Sequence, residues 1–462
     1  MLLSFFQYIS RPIFGIFERE EFKKFLRMGT IFATIIGTYW TLRALKKAVF
    51  YKLVSARAIP FAKTASILAL IPLLFFYNKL LNKYPREKMF YILSIMYGSL
   101  FLFFGTLLLF VQASPEVIAS RTGLALFGTQ AVGYCWYVLT ETFGSLVVAL
   151  FWAIASDTTN AESAKKGFFL VTALAQLGGV FLPNILTQLP KIFGFQTDAI
   201  VLFVAAGLSF TLFFLMRWFL VKTPKHLLET FHGVNENKKE ESEPGFFEGL
   251  KILFSNKYLI GIFAAVSIYE IIVTVFDYNF DLLAGATYSG PELTAFLGHY
   301  ASYVNIVALL CLLLGISNIT RILGVSVALI LMPIIIGCAL FGFISFNSLN
   351  FIFWLMVGSK AINYALNGPS MKQLYIPTSS DAKFKAQSWI EAFGSRAAKE
   401  TGSLFNMTLL PLQKAFGEVA GRAKYIALSG WFGFGLVAVW LGTAVFLGKT
   451  YNKAIKEKKI IC

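Results

Sequence analysis

Charge is scarce in this chain. Asp, Glu, Lys and Arg make up 14% of its 462 residues, where soluble domains carry about 25%. No hydrophilic stretch is long enough to be a separate domain, so a water-soluble protein of ordinary make-up is excluded. Cysteine is scarcer still. Cys135, Cys311, Cys338 and Cys462 form no CxxC pair, and three of them sit in apolar runs. Neither a disulfide framework nor a metal site is expected, and His226, His232 and His299 show no ligand-like spacing. The phosphate loop Gly-x-x-x-x-Gly-Lys-Ser/Thr is missing, as is the serine elbow Gly-x-Ser-x-Gly. The chain is therefore not expected to be an enzyme or to carry a cofactor. Nor is a cleavable leader or transit peptide expected: Glu18, Glu20 and Glu21 precede an apolar run that opens near Met28.

What the chain has is apolar surface. Hydrophobic residues make up 57%, Phe alone supplies 49, and mean hydropathy is +0.68. A membrane span needs roughly 20 apolar residues. On that measure helices are expected near 28–50, 59–80, 89–112, 126–155, 167–187 and 198–221, then 257–279, 295–315, 321–343, 346–365, 399–416 and 425–448. The fold class expected is an all-α polytopic membrane protein of about twelve spans. The polar segment 222–256, charge-rich from Asn235 to Pro244, reads as a cytoplasmic linker between six-helix halves at 1–221 and 257–462. Six plus six is the major-facilitator plan, with its site between the halves near mid-membrane.

The net charge of +17 is partly topology. Lys79, Lys83, Arg86, Lys88, Lys165, Lys166 and the lysines from Lys449 to Lys459 lie in loops or the tail, while 280–294 and 344–350 carry no Lys or Arg. Both termini are expected in the cytoplasm. Nucleic acid is not an expected partner, because there is little water-facing surface to be basic. The lipid bilayer is.

The remaining charges lie inside spans, where each costs on the order of 2.5–3.5 kcal/mol unless it faces a cavity or a partner. Arg43, Lys46 and Lys47 share one face of the first helix at i, i+3, i+4. Such a face either grips a polyphosphate, Arg by bidentate hydrogen bonds and Lys as a point charge, or snorkels to the helix end. Glu141, deep in the fourth run, either balances or gates that face or forms a permanent structural pair with one lysine. Lys360 interrupts an apolar run, with Asn363 and Asn367 following on its face, a stripe suited to a base or ribose; the bland reading is a span-end lysine. Lys383 and Lys385 fall in a basic amphipathic segment, Met371–Lys399, that either re-enters the membrane or lies on its surface. Glu270 and Asp277, two turns apart on the seventh helix, are candidates for proton coupling or for pairing with neighbouring cations.

Several stretches resemble the non-mitochondrial ATP/ADP translocases of obligate intracellular bacteria and plastids. Leu42-Arg-Ala-Leu-Lys-Lys and Ala58-Ile-Pro-Phe-Ala-Lys are similar to that family's Leu-Arg-Pro-Leu-Lys-Asp and Ala-Ile-Pro-Phe-Leu-Lys. Thr140-Glu-Thr-Phe-Gly-Ser and Phe151-Trp-Ala-Ile-Ala-Ser-Asp resemble its Ala-Glu-Leu-Trp-Gly-Ser and Phe-Trp-Gly-Phe-Ala-Asn. Gly358-Ser-Lys, Tyr375-Ile-Pro, Lys383-Phe-Lys and Gly394-Ser-Arg-Ala-Ala-Lys-Glu-Thr-Gly-Ser also match in order. The resemblance implies alternating-access transport of ATP and ADP, most simply ATP:ADP antiport, across a bacterial inner membrane by a monomeric chain. It carries substrate roles onto Lys46, Glu141, Lys360 and the Lys383–Lys385 segment. The chain departs from the pattern where Val273 stands at a family glutamate, Asp277 at a lysine, and Gln387 at a third lysine. Those departures leave open a proton-coupled importer of another nucleotide or organic anion. From a different class, a transferase acting on lipid phosphates would need an acid/base or metal cluster that no loop supplies.

Overall fold

Apolar runs this long leave the backbone nowhere to bond except within itself, so helices are forced. The computed structural model describes residues 17–81, 83–111, 117–118, 120–159, 161–195, 197–228, 246–314, 324–346, 348–379 and 386–461, and no strand occurs among them. The long helices are α1 (Arg19–Leu53), α2 (Ile59–Leu81), α3 (Arg86–Val111), α4 (Gly123–Asp157), α5 (Ala161–Leu186), α6 (Ala199–Lys222), α7 (Lys257–Thr287), α8 (Gly290–Leu313), α9 (Val325–Ser345) and α10 (Leu349–Ile362). They are followed by α11 (Ser395–Asn406), α12 (Leu409–Phe416) and α13 (Glu418–Glu457). Among the described residues, nine helices are long and apolar enough to cross a membrane.

Three of the expected spans fall outside those nine, each for a visible reason. α1 has the length but carries the charges of its two ends and of Arg43, Lys46 and Lys47. Its start is fixed by a capping box between Glu18 and Glu21, which extends it back beyond Met28. α10 stops after 14 residues and passes into a π-helical turn, Asn363–Asn367. Pro369 lies just beyond and has no N–H to donate to the carbonyl four residues back, which weakens the regular ladder there. The run expected as one helix over 399–416 is two, α11 and α12, broken at Met407 and Thr408. Pro411 is the cause of the same kind, and Thr408 Oγ1 turns back to the Phe405 carbonyl at 2.7 Å.

The outward faces are apolar. Phe110, Leu124, Val419 and Trp431 are each more than three-quarters exposed, which water would not tolerate in such number and hydrocarbon does. The chain is a multi-pass membrane protein.

The chain forms two units. The first comprises Met1–Ala56, Leu68–Lys239 and Gly285–Leu309, the second Arg57–Ile67, Glu240–Ala284 and Leu310–Cys462. In the first, α1 lies against α5, α4 and α6, and α3 against α6 and α4. The α1–α5 crossing is backbone-close: a Cβ added at Gly178 would stand 2.0 Å from the Ala33 carbonyl oxygen, the small-residue packing of membrane helices. In the second unit α9 and α12 lie against α13. Gly417, at φ +83°, makes the turn from α12 into α13 that a residue with a Cβ would strain to adopt.

Candidate functional site

In the first unit the basic face of α1 divides. Lys46 is 5% exposed; its ammonium is paired with Glu141 Oε1 from α4 and lies 4.2 Å from the centroid of the Tyr137 ring. The Glu141 side chain, by contrast, is 42% exposed, so the pair is sealed on the lysine side and open on the carboxylate side. Arg43 and Lys47 turn elsewhere. They line a small pocket of about 10 Å³, room for about one water molecule, with Trp40, Ala44, Leu297, Tyr300 and Ala301. The Arg43 guanidinium lies 5.0 Å from the Trp40 ring centroid and 3.5 Å from the Tyr39 hydroxyl. The pocket is far smaller than the roughly 300–1,000 Å³ of sites that enclose whole drug-sized ligands.

In the second unit Asp277, on α7, is 7% exposed. Its Oδ2 is 3.5 Å from Lys63 Nζ and its Oδ1 3.7 Å from Lys360 Nζ. Lys63 projects from the first turns of α2 and Lys360 from the end of α10, and Lys360 is as buried as the carboxylate. Two turns back on α7, Glu270 Oε2 is 3.6 Å from Lys399 Nζ of α11. Next to Lys360 the π turn sets Asn367 Nδ2 2.8 Å from Asn363 Oδ1, so the amide stripe partly satisfies itself. π turns occur often at functional sites. Lys383 and Lys385 lie outside the described residues.

The structure thus joins Lys46 to Glu141, Arg43 to Lys47, and Lys360 to Asp277. Two cations that meet the expected carboxylates, Lys63 and Lys399, were not singled out in the sequence. Lys63 carried a usable signal, since apolar residues enclose it at the start of the second span just as they enclose Lys360. Lys399, half exposed in a polar stretch, carried none. Asp281, one turn beyond Asp277 and fully buried, was likewise passed over. Among the described residues no group of His, Cys, Asp and Glu is placed to hold a metal.

Comparison with known proteins agrees with this picture of buried charges in an apolar bundle. The family model described as TLC ATP/ADP transporter matches residues 3–451. ADP,ATP carrier protein 1 of Rickettsia conorii is 25% identical over 491 residues, covering 97% of each chain. The chloroplastic ADP,ATP carrier protein 2 of Arabidopsis thaliana is 26% identical over 497 residues, covering 98% of this chain and 78% of that one. Among solved structures, a bacterial homologue of the iron transporter ferroportin, in its inward-facing state, superposes with a TM-score of 0.61 at 12% identity over 92% of this chain and 98% of that one. A D-xylose–proton symporter gives 0.55 at 13% identity over 92% and 96%. At those identities the likeness shows the fold alone, and that fold is major-facilitator-like.

Proposed function

The chain belongs to the TLC ATP/ADP transporter family, and from that premise we propose that it exchanges ATP for ADP across a bacterial inner membrane by alternating access. The observation that carries the reading is the cavity on α1, where Arg43 and Lys47 stand together beside Trp40 and Tyr300. Two cations beside aromatic side chains are the chemistry that recognises a terminal phosphate: Arg takes two of its oxygens in a fork and Lys adds a point charge. Lys46, held by Glu141, is the third member of the face. Its pairing offsets the cost of a buried ammonium while the site is empty, and the open side of Glu141 lets that pairing change when substrate arrives. Asn363, next to Lys360, serves the base or ribose, and Lys383 and Lys385, outside the described residues, are proposed as further substrate contacts.

The test is uptake of labelled ATP into proteoliposomes preloaded with ADP. Rapid exchange that unlabelled ATP and ADP both inhibit is expected, and no uptake with any nucleotide would end the reading. A second reading, net import coupled to protons through Asp277 or Glu270, draws on the presence of two carboxylates within one span. Moving a polyanion inward against the membrane potential costs ~2.3 kcal/mol per charge per 100 mV, so such an importer needs a compensating cation. Nucleotide accumulation in empty vesicles only under an inward proton gradient would replace antiport with that mechanism. On this reading both termini lie in the cytoplasm. A reporter fused after Asn237, which lies outside the described residues, should be cytoplasmic, and one inserted in 344–350 should face the opposite side.

A further inference from the structure

Asp277 is one carboxylate shared by two lysines from different helices. Lys63 of α2 and Lys360 of α10 each face one of its oxygens, at 3.5 and 3.7 Å. All three side chains are largely buried. Two ammonium groups held this close repel one another in a low-dielectric interior unless an anion lies between them. The arrangement is therefore an anion site in its own right, built to place two cations on the two oxygens of a single acidic group. Its present occupant belongs to the chain.

Neither contact has closed to the roughly 2.7–2.9 Å of a charge-assisted hydrogen bond. The lysines compensate Asp277 at a distance and are not drawn tight onto it. A phosphate presents the same pair of oxygens with a third, and carries more charge, so it is the chemical group that would displace the carboxylate from these two lysines. With Asp277 in place the cluster of three side chains has a net charge of +1; without it the same lysines would offer +2.

We propose that Asp277 is a built-in competitor for substrate phosphate at Lys63 and Lys360, and that it thereby sets the number of phosphate charges the carrier prefers. The inference rests on the reading of the chain as a nucleotide carrier for the identity of its substrate, though not for the anion chemistry of the cluster. Phosphate binding here requires Asp277 to give up its two lysines, a cost that a substrate of moderate charge and one of high charge both meet. Removing the carboxylate charge raises the attraction in proportion to substrate charge, so affinity increases most for the most highly phosphorylated ligand.

The experiment uses the purified full-length chain and two readouts. The first is direct titration with inorganic pyrophosphate, followed through the thermal unfolding midpoint. The second is inhibition of labelled ADP exchange in proteoliposomes by AMP, ADP and ATP. Asp277→Asn should bind pyrophosphate roughly tenfold more tightly, the size of losing one competing charge-assisted contact, and its inhibition ranking should move toward ATP. Pyrophosphate affinity that is unchanged or weaker in Asp277→Asn overturns the proposal, as does a uniform shift for all three nucleotides. Should Asp277→Asn not fold, Lys360→Gln asks the same question in reverse: pyrophosphate should bind roughly tenfold more weakly, and unaltered binding overturns the proposal. If the wild type exchanges no nucleotide but the pyrophosphate titrations behave as stated, the nucleotide reading fails and the competitor survives.

Discussion

The charged clusters of the two units use the same residue types to opposite effect. On α1 of the first unit, three cations face one carboxylate: Glu141 pairs with Lys46, while Arg43 and Lys47 line a cavity. On α7 of the second unit the carboxylates are central, and each is met by lysine from another helix, Asp277 by Lys63 and Lys360, Glu270 by Lys399. The first cluster therefore gathers its cations around one carboxylate and beside a pocket, whereas the second centres its lysines on the carboxylates of one helix. Charge buried in a span is expensive in either case. On the proposed function, a ligand offsets part of that expense in the first unit, while ion pairs within the chain offset part of it in the second. On the proposed reading, the first cluster grips the phosphate of the substrate and the second adjusts how strongly it is held.

The largest effects should come from breaking the open cluster. Arg43→Ala and Lys46→Ala should each weaken uptake by roughly 10–150-fold, the range for loss of one charge-assisted phosphate contact of about 1.5–3 kcal/mol, with expression and folding retained. The measure is the concentration dependence of labelled nucleotide uptake, with protein in the membrane quantified alongside. If both variants transport as the wild type does, the basic face of α1 is a snorkelling helix end, and the contrast between the units loses its functional meaning.

The division of the α1 face also shows how far a sequence of this kind can be read. At 3.6 residues per turn, successive side chains are about 100° apart. Relative to Arg43, Lys47 is turned by about 40° one way and Lys46 by about 60° the other. The spacing therefore predicts a broad basic face correctly but cannot say that its two edges meet different neighbours, Glu141 on one side and Tyr300 on the other. The same limit applies on α7. Glu270 and Asp277 are correctly read as one stripe, yet lysines from three separate helices answer them, and no spacing within α7 contains that information. The spans were legible because twenty apolar residues in a row admit few other structures. The break after Asn406 and the π turn at Asn363 were not, although Pro411 and Pro369 stand where each ladder fails. Apolar runs tolerate internal proline elsewhere in this chain: Pro72, Pro183 and Pro333 lie within unbroken helices. At the α11–α12 break, Asn406 accepts from the Tyr425 hydroxyl at 2.6 Å and donates to the Thr274 carbonyl at 3.2 Å, fixing the chain where the helix ends.

The smallest expected effect tests two helix-end fastenings, one made by a titratable group in the first unit and one made by neutral groups in the second. In the second unit the fastening is neutral: the Ile461 N–H donates to the Pro377 carbonyl at 2.9 Å, and Asn256 Nδ2 donates to the Ile461 carbonyl at 3.2 Å. In the first, the buried ammonium of Lys24 donates to the carbonyls of Thr158 and, at 2.9 Å, Leu227, gathering the ends of α4 and of the short helix Lys225–Leu228. Lys24 precedes the apolar stretch that opens near Met28. Burial pushes its ammonium down from 10.5 to about 8, with the Glu21 carboxylate acting in the opposite sense. Between about pH 8 and about pH 10.5 the unfolded chain therefore binds more protons at this position than the folded one, so stability rises with pH across that window. Below about pH 8 both states are protonated and this contribution is flat, with the burial penalty fully present. The unfolding midpoint of the wild type should accordingly rise relative to that of Lys24→Met as pH climbs through the window, whereas Asn256→Ala should differ from wild type by the same amount at every pH. Parallel curves for wild type and Lys24→Met would show that Lys24 keeps an ordinary pKa in the folded chain, and the two fastenings would then differ in position but not in chemistry.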